Sequence, residues 1–275
     1  LKALSDSLDR ELGNKAIYTR MHEQTIDILK LSLHNDTRTI SEEYDINRRL
    51  YEKYKKYQVD SALSYSRRNV AIGRELGDMD KVHQARLQIV YLYSLNNRFL
   101  EAKAILDSIP LAELKRDLLL EYYTAGYWFY SCYAVASGDA SYYLEANRYL
   151  DSTMSYLEPT SFDYWYNHAF RYTYAPDLGS PEPYLDSLMA TVRPGSPEEA
   201  SACSIYGLYY GKLGRNKESE CMLIRSAIAD IKSATRENES IRLLAISEYE
   251  RGNFNTAFCN SCWIESPQKK LSLSN

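Results

Sequence analysis

Residues Ser204–Ile231 have the sequence SIYGLYYGKLGRNKESECMLIRSAIADI, and this stretch decides the fold. Its first half places small and aromatic residues at helical spacing, three or four positions apart. Gly-Arg-Asn at 214–216 then interrupts the pattern, and a second run with helical periodicity continues to Ile231. Because two helical patterns flank a short turn, the stretch predicts one antiparallel helical hairpin.

The small and large residues of this hairpin follow a specific spacing. They are Gly207, Tyr210, Gly214, Ser219, Leu223 and Ser226, with offsets of three, four, five, four and three residues. This spacing resembles that of the tetratricopeptide repeat (TPR) family, whose hairpins recur about every 34 residues. The resemblance implies an all-α fold, a right-handed superhelical solenoid whose concave groove is lined by the first helix of each pair.

Similar patterns extend on both sides of this hairpin. We predict about six antiparallel helix pairs, near residues 41–76, 79–109, 113–157, 161–192, 197–231 and 238–265. An N-terminal helical cap (1–40) precedes this array (41–265), and a polar tail (266–275) follows it. Ser41, which is followed by Glu42 and Glu43, predicts the start of the first pair. The chain has 11 Gly and 8 Pro, few for a protein rich in strands and tight turns, which favours helices.

The composition argues against several classes of partner. The net charge of −4 and the pI of about 5.7 provide no long-range attraction for phosphate groups, so we expect no direct contact with nucleic acid. The longest apolar run, 127–136, is much shorter than the roughly 20 residues that span a bilayer, so we predict no membrane span. Five cysteines at irregular spacing do not indicate a disulfide framework.

Motifs for catalysis or metal binding are weak. His22 and Glu23 begin like a zinc-protease pattern, but the position four after His22 is Ile26, so the second ligand is missing. Cys259 and Cys262 have metal or redox spacing without a second pair, and buried structural cysteines are the favoured interpretation. We therefore predict a protein that is not an enzyme and has no catalytic residue, metal or cofactor.

The predicted groove is the best candidate for a binding site. Tyr is unusually frequent, with 26 residues against 6 Phe. Its ring is a rigid amphipathic surface, while Asn and Gln side chains offer both donors and acceptors. The TPR register places eight side chains at groove-facing positions: Tyr44, Asn47, Tyr51, Tyr54, Gln84, Tyr91, Asp163 and Tyr166. We predict that they contact a ligand; the alternative is that the tyrosines only fill space between helices.

The N-terminal half has a narrower resemblance. It is carried by Tyr18 with 22–30 (HEQTIDILK), 50–54 (LYEKY), 57–62 (YQVDSA) and 75–78 (ELGD). These segments resemble the sensor portion of bacterial membrane-anchored TPR transcriptional regulators. In such proteins a secreted or periplasmic TPR array precedes a transmembrane helix, a coiled coil and a helix-turn-helix-like output segment.

The resemblance implies a non-catalytic sensor that binds a protein, a peptide or a small ligand, and that forms part of a longer regulator. It also implies a periplasmic location, with the cytoplasm as the alternative. The chain begins at Leu1 rather than Met, which is compatible with removal of an export signal. A glycan-capture component of a bacterial nutrient-uptake system is the alternative function, and a homodimer is a further expected assembly.

Overall fold

The computed structural model describes residues 1–35, 37–175, 179–235 and 239–250, and within them the fold is all-α. The helices are α1 (Lys2–Gly13), α2 (Lys15–Leu33), α3 (Ile40–Tyr54), α4 (Val59–Glu75), α5 (Met79–Leu95), α6 (Phe99–Asp107), α7 (Arg116–Ser137), α8 (Tyr142–Tyr156), α9 (Phe162–Tyr174), α10 (Glu182–Thr191), α11 (Pro197–Lys212), α12 (Asn216–Lys232) and α13 (Glu239–Glu250). A short 3-10 helix, Leu111–Glu113, precedes α7. The predicted all-α helical-repeat fold is confirmed.

Successive helices pack on each other in pairs: α3 with α4, α5 with α6, α7 with α8, and α11 with α12. These pairs, and helices α9 and α10, match the ranges given above for the first five hairpins, except that α3 begins at 40 rather than 41 and α12 ends at 232 rather than 231. Helix α13 occupies the start of the sixth, whose second half, with Cys259, Cys262 and the polar tail, lies outside the described residues. None of the described helices is long and apolar enough to cross a membrane.

The N-cap of the first hairpin lies two residues earlier than its sequence predicts. Thr39, rather than Ser41, is the N-cap of α3: its hydroxyl accepts a hydrogen bond from the Glu42 backbone N–H at 3.2 Å. The Glu42 carboxylate in turn accepts one from the Thr39 N–H at 2.7 Å. This reciprocal capping box satisfies two backbone donors at once, which a cap at Ser41 would leave unpaired.

The chain divides into two compact units, one of residues 1–22 and 165–275 and one of residues 23–164. The boundaries fall inside α2 and inside α9. In the unit of residues 23–164, the core contains Leu50, Leu87, Val90, Leu106 and Phe129, one or more from each of α3, α5, α6 and α7. Helix α7 packs closely on α8.

The unit of residues 1–22 and 165–275 has its own apolar cluster, in which α1 packs on α12. Leu8 and Leu12 of α1 cover Leu223, Ile224, Ala227 and Ile231 of α12, with Ile241 and Leu244 of α13. Glu11 lies 3.6 Å from the Lys232 ammonium and accepts a hydrogen bond from the Tyr18 hydroxyl at 2.6 Å. Ile26 and Leu29 of α2 lie in the core of the other unit, so residues 1–40 contribute to both units; their role as an N-terminal helical cap stays a prediction.

Small residues bring α11 and α12 together in the stretch that decides the fold. A Cβ at Gly207 would lie 2.9 Å from Leu223 Cγ, and the Ser219 hydroxyl donates a 2.8 Å hydrogen bond to the Gly207 carbonyl. The Ser226 hydroxyl donates to the Ala200 carbonyl at 2.7 Å. The spacing of Gly207, Ser219, Leu223 and Ser226 thus reflects the helix contact itself.

Candidate binding face on the first helices

The candidate site lies in the unit of residues 23–164, on α3, α5 and α7, the first helices of three successive pairs. Each helix contributes two side chains that are seven residues apart, which is about 10 Å along a helix and brings them to one face. Tyr44, Gln84 and Glu121 form what we term the polar layer. Tyr51, Tyr91 and Trp128 form the aromatic layer.

A chain of hydrogen bonds joins the polar layer across three helices. The Tyr44 hydroxyl lies 3.0 Å from Gln84 Oε1 and 3.0 Å from the Lys81 carbonyl oxygen, and these two acceptors share its one proton. Gln84 Nε2 donates to Glu121 Oε1 at 2.7 Å. Burial raises the pKa of the Tyr44 hydroxyl, so it stays a donor at neutral pH. The chain therefore has a fixed direction that ends on the Glu121 carboxylate.

Glu121 is half-buried and poorly compensated. Burial is the main cause that raises its pKa above the ordinary value of 4.5, and the negative charges of Glu52 and Asp117 act in the same direction. The hydrogen bond from Gln84 and the positive charge of Arg48 oppose the shift. In the described part of the chain, the Gln84 amide is its one hydrogen-bond donor and no cation forms an ion pair with it. Such a carboxylate is typical of a binding site.

The aromatic layer combines one buried ring with two half-buried ones. The rings of Tyr91 and Trp128 meet edge to face, with centroids 5.7 Å apart and an interplanar angle of 85°. Tyr51 is 5% exposed, and burial raises the pKa of its hydroxyl well above the ordinary value. Since Tyr91 and Trp128 keep part of their ring surface accessible, they can contact a flat apolar group.

Asn47 lies between the two layers, about one turn from Tyr44 and one from Tyr51 on the same helix. Its side chain is 2% exposed, yet its Nδ2 has no hydrogen-bond partner among the described residues. A buried amide donor without a partner is costly, since folding removes its hydrogen bond to water without replacing it. An acceptor on a ligand would satisfy it.

The structure places the eight predicted residues in different environments. Tyr44, Asn47, Tyr51 and Tyr54 are 2–5% exposed, so little of their surface is open to solvent in the chain without a ligand. Tyr54 belongs to the core, where its ring stacks on Tyr65 with centroids 5.8 Å apart.

The other four are more accessible. Gln84 and Tyr91 are half-buried members of the two layers. On α9, Asp163 is exposed and Tyr166 is half-buried. The boundary between the two units falls between these residues, and neither belongs to the polar or the aromatic layer. A contact of any of the eight residues with a ligand remains a prediction.

Sequence reasoning missed Glu121 and Trp128. Both lie in the third hairpin, whose first helix, α7, is long and rich in aromatic residues, so that the sequence does not fix its repeat register. The signal that could have found them is the shared separation of seven residues: a polar residue and an aromatic residue recur at this spacing in α3, α5 and α7. Among the described residues, no group of three or more His, Cys, Asp and Glu side chains could hold a metal ion.

Paired helices, with a polar and aromatic face on the first helices of three successive pairs, define a helical-repeat scaffold of the TPR type. This class binds other proteins and is typically non-catalytic. The family described as "SusR N-terminal TPR domain" matches residues 12–261, and the chain belongs to this family. Both resemblances drawn from the sequence are thereby confirmed. A comparison with curated proteins found no match.

Proposed function

We propose that this domain is the sensor part of a bacterial signalling or transcriptional regulator, and that it binds a protein, peptide or small ligand on the face formed by the polar and aromatic layers. The observation that carries the proposal is the hydrogen-bond chain from Tyr44 through Gln84 to Glu121. It joins three successive first helices and ends on a half-buried carboxylate with a raised pKa.

The chemistry of the face suits recognition. It combines half-buried rings, which bury area at little entropic cost, with a few polar groups that can orient a ligand. The unpartnered Asn47 amide adds a donor that gains a full hydrogen bond only when an acceptor is supplied. A ligand that spans both layers would touch α3, α5 and α7 together.

Such a ligand would have a route to a signal. Each first helix belongs to a different hairpin, so contacts to all three fix the hairpins relative to one another. If the free domain samples several such arrangements, a ligand that prefers one of them shifts the population. The output is then a change in the curvature of the repeat array or in self-association.

The proposal is tested by a ligand screen with matched variants. A thermal-shift screen against defined panels of peptides, oligosaccharides and small metabolites supplies ligands, and calorimetry measures their affinity for the wild type, Tyr91→Ala and Tyr143→Ala. Tyr143 is a 45% exposed tyrosine of α8, a second helix, and serves as the control. We expect Tyr91→Ala to weaken binding about tenfold or more, as for a contact aromatic, and Tyr143→Ala to leave it unchanged. Equal affinities for all three proteins would overturn the proposal.

A glycan is the second candidate ligand. The half-buried rings of Tyr91 and Trp128 offer flat apolar faces, and the carboxylate of Glu121 and the amide of Gln84 offer an acceptor and a donor for hydroxyl groups. This would fit a glycan-capture component of a nutrient-uptake system. The oligosaccharide panel tests it directly: a hit that loses affinity in Tyr91→Ala favours it, and a panel without hits removes it.

We also propose that the domain faces the periplasm. The proposal rests on the resemblance to bacterial membrane-anchored regulators, in which the TPR array is secreted or periplasmic. Fractionation of the source cells, followed by immunodetection of this segment, tests it: detection in the periplasmic or envelope fraction is expected, and detection in the cytoplasm alone would contradict it.

A further inference from the structure

We infer that the ligand of this face carries a protonated amine, which binds at Glu121, and an apolar group, which packs on Tyr91 and Trp128 in the aromatic layer. The inference deepens the proposed function and rests on it. The two layers are about 10 Å apart along the helices, so the amine and the apolar group lie at two ends of an extended molecule.

The first argument is the charge balance around Glu121. The groups with the largest effect on its carboxylate are Gln84 of α5 through a hydrogen bond, and Arg48 and Glu52 of α3 and Asp117 of α7 through their charges. Two of the three charged groups are acidic, and the one cation, Arg48, is exposed and forms no ion pair with Glu121. An amine brought by a ligand would supply the missing positive charge and a charge-assisted hydrogen bond.

Lys81 does not supply this positive charge to Glu121. The Lys81 ammonium, about one turn before Gln84 on α5, lies 2.9 Å from the Asp78 carboxylate and over the ring of Tyr44, 5.4 Å from its centroid. It is thus already paired. This contact also shows that the Tyr44 ring can lie beside a cation, because the face of an aromatic ring carries partial negative charge.

The second argument is Asn47, which defines the middle of the ligand. Its buried Nδ2 has no partner in the described chain and requires an acceptor. A ligand with an amine at one end, a carbonyl or hydroxyl oxygen in the middle and an apolar group at the other matches the order Glu121, Asn47, Trp128. Both a small free amine and a lysine side chain of a peptide carry this amine.

The test compares matched probes by calorimetry. The small probes are N-benzyl-3-aminopropanamide and its neutral isostere N-benzyl-3-hydroxypropanamide, which both carry a carbonyl oxygen between their two ends. The peptide probes are N-acetyl-Lys-Ala-Phe-amide and the same peptide with an acetylated lysine amine. We expect each amine to bind about tenfold more tightly than its neutral counterpart at neutral pH. Tighter binding by the small pair or by the peptide pair identifies the source of the amine.

Three charge variants make the test specific. Glu121→Gln removes the charge but keeps the shape, and should abolish the preference for the amine. Arg48→Gln removes the competing cation and should increase it. Glu75→Gln, at the exposed C-terminal end of α4, is the control and should leave it unchanged. Circular dichroism of each variant shows that it is folded.

The pH dependence is a further readout. The preference for the amine should fall as the pH is lowered through the raised pKa of Glu121, since protonation removes the negative charge. Equal affinity for amine and neutral probes, a preference that survives Glu121→Gln, or no binding of either amine would overturn the inference. A neutral ligand that is lost in Tyr91→Ala but insensitive to Glu121→Gln would overturn this inference alone and leave the proposed function standing.

Discussion

Gln84 Nε2 donates a 2.7 Å hydrogen bond to Glu121 Oε1, and this bond links α5 of the second helix pair to α7 of the third. The carboxylate that accepts it is half-buried, and burial raises its pKa. A raised pKa means that the folded chain holds the proton more tightly than the unfolded chain does. The stability that this gives is fully present below the ordinary pKa of 4.5 and is lost as the pH rises through the folded pKa.

Glu121→Gln should therefore stabilise the domain at neutral pH. The amide keeps an acceptor for Gln84 but carries no charge to desolvate, and the expected rise in the midpoint of thermal unfolding is about 2–4 °C, or ~1 kcal/mol. The rise should shrink towards zero below the ordinary pKa, where Glu121 of the wild type is protonated as well. Circular dichroism melts across this pH range measure it. A lower midpoint at neutral pH would show that the carboxylate stabilises the fold.

Gly126→Ala should strongly destabilise the unit of residues 23–164. Gly126 lies in the middle of α7, and an added Cβ would overlap the ring of Tyr149 on α8. Because that ring is held against Tyr122, Tyr123 and Tyr130 of α7, with centroids 5.4–6.2 Å apart, the expected loss in the free energy of unfolding is about 1–3 kcal/mol, typical of overpacking. Urea denaturation followed by circular dichroism measures it.

Gly13→Ala is the matched control for this substitution. Gly13 ends α1 and has nothing within 4 Å of the position of a new Cβ. Since Ala has the higher helix propensity, the variant should be neutral or more stable by about 0.5–1 kcal/mol. Equal effects of the two variants would mean that the contact between Gly126 and Tyr149 contributes nothing.

Leu12→Ala should loosen α12, although Leu12 precedes this helix by some 200 residues in the chain. Leu12 is 7% exposed and packs in the cluster that α1 forms with α12 and α13. Truncating a buried leucine costs about 2–5 kcal/mol through lost contacts and a cavity. Hydrogen exchange should become faster in α12 and remain unchanged in α4, which belongs to the other unit.

Ile17→Ala provides the comparison, because Ile17 is 57% exposed on α2. Its effect on the free energy of unfolding should stay within about 0.5 kcal/mol. If Leu12→Ala had an equally small effect, or if exchange accelerated in α4 as well, the packing of α1 with α12 in one cooperative unit would be disproved.

What could be predicted from the sequence is local. The position of α11 and α12 follows from the periodicity of 204–231 and from Gly214, whose φ of 71° only glycine adopts readily. The cap of α3 was misplaced by two residues, since Thr39 and Ser41 both offer a hydroxyl and only geometry distinguishes them. The all-α fold needed nothing beyond such local signals.

What could not be predicted depends on contacts between distant residues. The TPR register of the first helices placed Tyr44 and Tyr51 on the face that carries the polar and aromatic layers. Their burial, however, depends on how closely α3 approaches α5. In the same way, the sequence of α7 does not distinguish the half-buried Glu121 from an acidic residue on an exposed helix face, because the desolvation of its carboxylate comes from residues of other helices. The packing of α1 on α12 was missed for the same reason.

Asn47→Leu should separate stability from binding. The buried Nδ2 of Asn47 has no partner in the described chain, so its replacement by an apolar side chain of similar size removes an uncompensated donor and should leave stability unchanged or raise it by about 1 kcal/mol.

Asn69→Leu is the matched control: Asn69 is equally buried, but its Nδ2 donates to the Tyr44 carbonyl at 3.0 Å. This variant should lose about 1 kcal/mol, because the buried hydrogen bond to that carbonyl oxygen is removed. Urea titrations compare the two variants, and calorimetry with any ligand of the face should show weaker binding to Asn47→Leu. If Asn47→Leu were as destabilised as Asn69→Leu, the amide of Asn47 would be a structural group, and its assignment to the binding face would have to be withdrawn.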